Sequence, residues 1–146
     1  MKKFVLVAAM LGSLVSGETM AACGSSNRLK AADISLLLGG NTVCVPTTTI
    51  PDMTWQELHV GTSTSTSGAL IDYKRGPTHP TDKSETVGNW SVTGTGSNAS
   101  VTHTYSGGGG TYIYTVHGTG IVGTDHSFCV GATEIVAKVK SGGGAC

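Results

Sequence analysis

Apolar and polar positions alternate along most of the chain beyond residue 40. The stretches are short and are broken by glycine, proline and serine–threonine clusters. That period of two is the signature of half-buried β-strands. It predicts strands over 41–45, 55–60, 69–73, 87–92, 100–105, 111–117, 127–130 and 133–139. The one helical pattern is 31–38, where Ile34, Leu37 and Leu38 share a face and Gly39-Gly40 supplies the stop.

Several faces follow from the alternation. Trp90 and Val92 are expected inside, as are Ile135, Ala137 and Val139, opposite Glu134, Val136 and Lys138. The clearest hairpin joins 100–105 to 111–117 through Ser106 and four glycines. There Val101, His103 and Tyr105 share one face, and Tyr112, Tyr114 and Val116 share another. The stretch 55–60 is undecided, because Trp55, Glu57 and His59 oppose Gln56, Leu58 and Val60, and neither set is purely apolar. Residues 74–85 carry Pro77, Pro80 and much of the charge, so they read as the longest exposed loop. Eight short antiparallel strands with one small helix predict a mainly β domain. Closing the sheet removes its edges, which favours a small barrel; a two-sheet β-sandwich is the alternative.

The first residues change the chemistry expected of the rest. Met1-Lys2-Lys3 precedes an apolar run from Phe4 to Leu11, and Thr19-Met20-Ala21-Ala22-Cys23 offers small residues at an exit. These are the parts of a secretory signal peptide, assigned to 1–21, with a single domain at 22–146. The run is too short to span a bilayer. The same junction fits a lipobox, in which Cys23 would carry lipid and anchor the protein at the bacterial envelope. Cleavage before Ala22 leaves Cys23, Cys44, Cys129 and Cys146, an even set that two disulfides can use up. Lipidation would leave an odd thiol, so soluble secretion or periplasmic residence is preferred. Cys44 and Cys129 lie in strand-like segments, so the expected bridges are Cys44–Cys129 within the domain and Cys23–Cys146 between its ends.

Charge adds mainly exclusions. Nine Lys and Arg balance nine Asp and Glu, and charged residues are 12% of the chain, with no basic stripe to hold nucleic acid. Nucleophile-elbow, zinc-protease and phosphate-loop motifs do not occur. Of the five histidines, His103 and His117 could face one another across the hairpin, joined by His59 or His126. Their spacing forms no compact metal motif, and neither metal nor cofactor is expected. The candidate ligand or partner surface is instead Asp72, Lys74 and Arg75 beside the proline loop, with Trp90, Tyr105, Tyr112 and Tyr114 as aromatic platforms.

Gly40-Asn41-Thr42-Val43-Cys44, Asp72-Tyr73-Lys74-Arg75-Gly76-Pro77, Gly88-Asn89-Trp90 and Ser127-Phe128-Cys129 resemble segments shared by a set of small exported bacterial proteins. Most of that set has no assigned activity, so the resemblance implies export and no catalytic residues. A short helix before the sheet and the Gly-x-Trp strand entry are more remotely similar to calycin-type barrels, the lipocalin and avidin architecture. That likeness implies a calycin-like barrel and transfers no ligand residues. The expected function is therefore a non-enzymatic exported protein that binds a small molecule, glycan or protein. A self-associating structural, surface or filament subunit is the alternative, and an uncommon hydrolase comes third.

Overall fold

The structure, a computed structural model, describes residues 23, 24, 26–47, 55–73 and 84–146. A helix, α1 (Ala31–Leu38), precedes eight strands. They are β1 (Thr42–Val45), β2 (Trp55–His59), β3 (Ser67–Tyr73), β4 (Ser84–Thr93), β5 (Ser100–Tyr105), β6 (Gly110–His117), β7 (Asp125–Val130) and β8 (Thr133–Lys140). Each strand pairs antiparallel with its sequence neighbours, and β8 returns to β1, so the sheet closes into a barrel. The sandwich alternative falls away, because β1 bonds β2 on one side and β8 on the other.

The strand alternation resolves into a lumen and an outer wall. Val43, Leu70, Trp90, Val101, Phe128, Ala137 and Val139 are buried in one cluster. α1 covers one end of the barrel: Ile34, Leu37 and Leu38 join that cluster, and Leu36 is left in solvent. Little more than two turns would not hold as an isolated helix, so this burial is what keeps α1 in place. Its exit is tight. A side chain at Gly39 would run into the Thr62 carbonyl, and Gly40 sits at φ +82°.

β4 begins earlier than its hydrophobic pattern suggests. A register shift between Leu70 and Ile71 lets Thr86, Glu85 and Ser84 go on pairing with Ile71, Asp72 and Tyr73. The expected loop therefore loses its last two residues to β4, and 74–83 lies outside the described residues.

The disulfides correct the expected pairing: they are Cys23–Cys129 and Cys44–Cys146. Cys44 is paired across the sheet with Lys138, and Lys138 is paired with Asp125. Cys129 thus lies two strands from Cys44 and a further four residues along β7. Two strand spacings alone come to about 9–10 Å, whereas bridged Cα atoms lie within roughly 7 Å. Both cysteines also face the outer wall, so each meets a different end of the chain. Before α1, Arg28 bridges to His117 and the Leu29 N–H donates to the Val116 carbonyl, which brings Cys23 to β7. After β8, a glycine-rich segment folds back across β1 and β2. Gly142 N–H donates to Asn41 Oδ1, Gly144 N–H to the Tyr73 hydroxyl and Cys146 N–H to Gln56 Oε1.

Candidate functional site

On β2 the undecided alternation settles with Trp55, Glu57 and His59 inward. Glu57 pairs with Asp72 and His59 with Leu70, and both rows point into the lumen. The opposite face of β2 is not wasted, since Leu58 lies beneath Gly143 of the returning segment. From β5, His103 and Tyr105 enter the same lumen, and from β6 Tyr112 and Tyr114 do.

These side chains form a continuous polar path through an otherwise apolar interior. The Tyr105 hydroxyl donates to Glu57 Oε2 at 2.9 Å. It also lies 3.4 Å from His103 Nδ1, which is 3.7 Å from the same carboxylate oxygen. His103 Nε2 then meets His59 Nε2 at 2.9 Å. β2 and β5 are not neighbours in the sheet, so this last contact spans the lumen. Because the tyrosine proton is committed to Glu57, the oxygens beside His103 Nδ1 favour a proton on that nitrogen. The two Nε2 atoms share one hydrogen bond, so one imidazole donates its N–H and the other accepts.

Both imidazoles are fully buried. Burial lowers the His103 pKa to about 3, and burial together with the His103 ring holds His59 well below the ordinary value. Burial, reinforced by the Glu57 carboxylate, raises both tyrosines, Tyr114 to about 12. At neutral pH the site therefore holds two neutral imidazoles and two protonated phenols. It is an internal hydrogen-bonding network rather than an exposed acid–base pair.

Towards the end of the barrel opposite α1 the path becomes aromatic. Trp55 packs on Tyr114 at 5.7 Å and on Phe128 at 5.4 Å between ring centroids. Tyr112 stacks on Tyr114 at 6.4 Å and meets Tyr105 edge-on at 5.8 Å. Tyr112 is 45% exposed, so the cluster reaches solvent there. The indole N–H of Trp55 is buried and has no hydrogen-bond partner among the described residues.

Of the candidate surface, Tyr105, Tyr112, Tyr114 and Asp72 gather at this end. Trp90 is placed elsewhere: it is 1% exposed, packs against His59 and donates its indole N–H to the Val60 carbonyl at 3.2 Å. Lys74 and Arg75 lie outside the described residues. The sequence assigns no site role to Glu57 or Trp55 and brings in His59 only as a possible companion of His103 and His117, although an acid and an imidazole two apart on a part-apolar strand are a visible signal. The suggested His103–His117 apposition is also corrected. His103 pairs with Tyr112, whereas His117 faces the outer wall and bonds Thr115 Oγ1 at 2.9 Å.

Among the described residues no group of three His, Cys, Asp or Glu side chains is placed to hold a metal ion. The two Nε2 atoms point at each other, and Glu57 meets the other nitrogen of His103. Fold and interior together define a small closed antiparallel β-barrel, plugged by a helix at one end, aromatic and acidic at the other, with both flanking segments stapled to its wall. No protein-family model, curated protein or solved structure matches the chain.

Proposed function

We propose that this is a non-enzymatic exported binding protein whose ligand docks at the aromatic end of the barrel. The observation that carries the reading is the convergence of Trp55, Tyr105, Tyr112 and Tyr114 around Glu57, with Tyr112 half in solvent. Aromatic faces supply contact area at low entropic cost, and the Tyr105 and Tyr114 phenols remain protonated across the physiological range. Binding of a small molecule or glycan suits this chemistry better than hydrolysis, because the imidazoles lie sealed beneath the rings and are held neutral.

A filament or surface subunit assembled by strand addition would need a strand with an open side, and each of the eight described strands has an antiparallel neighbour on both sides. Soluble export is favoured over lipid anchoring by the Cys23–Cys129 bridge, since one sulfur cannot carry both a thioether lipid and a disulfide.

The binding reading is tested by NMR with a fragment set of amines, neutral sugars and aromatic acids. Binders are expected to move the Trp55 indole N–H and the Tyr112 ring while leaving the Trp90 indole in place. Hits that map elsewhere, or assembly with rising protein concentration and no ligand, would count against it. Intact mass separates the export routes: a start at Ala22 with a gain of about four hydrogens on reduction supports the soluble form. An acylated Cys23 refutes it.

A further inference from the structure

A second surface lies on the outer wall, away from the aromatic end. On β3, β4 and β5 the outward positions form a grid: Ala69 pairs with Asn89, Asn89 with Thr104, and Ser67 with Ser91. Small side chains at Ser67, Gly68 and Ala69 leave a hollow of about 420 Å³ over this grid. The hollow is shallow and open to solvent, so a ligand would lie along the sheet face.

The lining is uncharged. Polar and apolar atoms line it in about equal measure: the Ser67, Ser91 and Thr104 hydroxyls, the Asn89 amide and the Ala69 methyl, with Gly68 and Trp90 completing the floor and no charged side chain among them. The backbone beneath is committed to the sheet, so the lining groups that remain for a ligand are the side chains. They stand on three strands of a closed barrel, so little side-chain or loop order has to be purchased on binding.

We propose that this hollow binds a neutral, hydroxyl-rich glycan segment, independently of the aromatic end. Each sugar hydroxyl both donates and accepts, which matches Asn89 and the Ser67, Ser91 and Thr104 hydroxyls. An ionic ligand would give up hydration without meeting a counter-charge, and an apolar one would leave the hydroxyls unpaired. With strands about 4.8 Å apart, the three-strand grid spans about the width of one or two sugar rings.

The test is a ¹⁵N NMR titration of the oxidised protein with cellotetraose and maltotetraose, set beside tetragalacturonate and a chitosan tetramer. Saturable shifts of the Asn89 side-chain amide and of the Ser67, Ala69 and Ser91 backbone amides are expected with at least one neutral probe. The charged tetramers should bind about tenfold more weakly or worse. Asn89→Ala should weaken the neutral probe about tenfold, and Ala69→Leu should block it by filling the hollow. Val136→Ala, on the exposed outer face of β8, should leave it unchanged. Three results overturn the proposal: no shift at Asn89 with either neutral probe, equal response to the charged tetramers, or shifts that follow protein concentration instead of sugar, which would make the surface a self-contact. Shifts confined to Trp55 and Tyr112 would likewise overturn it while leaving the aromatic end as the ligand site.

Discussion

At the scale of single residues, the interior turns on Glu57 Oε2, which accepts the Tyr105 O–H hydrogen bond and stands 3.7 Å from His103. Tyr105→Phe keeps the ring and removes that donor. It should cost about 1–2 kcal/mol, read by chemical denaturation. A loss near zero would mean the carboxylate does not depend on the hydroxyl. Tyr105 was legible in the sequence as an inward aromatic, because alternation along 100–105 sets its face. Its partner was not legible. Glu57 lies on another hairpin, and only the curvature of a closed sheet carries β2 across the lumen to β5.

At the scale of elements, the hydrophobic period located α1 to the residue and every strand to within a few residues. Boundaries moved where pairing overrode pattern: β4 extends back to Ser84 because β3 offers unpaired backbone past a bulge. The close fit between elements is testable at Gly68 in β3. An added Cβ would strike the Val60 carbonyl and come within 2.9 Å of the Trp90 indole nitrogen. Gly68→Ala should therefore destabilise by about 1–3 kcal/mol in thermal or denaturant unfolding. Leu37→Ala in α1 empties a fully buried site and should cost about 2–5 kcal/mol. If the helix variant were neutral, α1 would not be the plug its burial implies.

At the scale of the whole molecule, the two bridges close chain separations of 106 and 102 residues. Loss of the second through Cys146→Ser should remove roughly 4–5 kcal/mol in the chain-entropy account. Non-reducing peptide mapping should recover Cys23 with Cys129 and Cys44 with Cys146. Acid should also weaken the fold. His103 titrates near 6.5 in the unfolded chain and at about 3 in the barrel, so the unfolded state binds more protons between those values. Stability should be full above about pH 6.5 and decline as pH falls towards 3, with His59 adding in the same direction. Denaturant midpoints measured from pH 8 to pH 4 check this; a flat profile would contradict the buried neutral pair.

By itself the sequence determined the β class, the single helix, the inward faces of most strands and the use of all four cysteines. Those are consequences of local periodicity and of cysteine parity, which need no knowledge of distant neighbours. Tertiary structure decided which strands meet across the lumen, and so which acid, phenol and imidazoles share one path. It also decided the disulfide partners. Cys44 and Cys129 look like natural mates along the chain, yet sheet register holds them two strands and four residues apart. Register and closure are relations between segments far apart in sequence, and neither leaves a signature in the periodicity of any one of them.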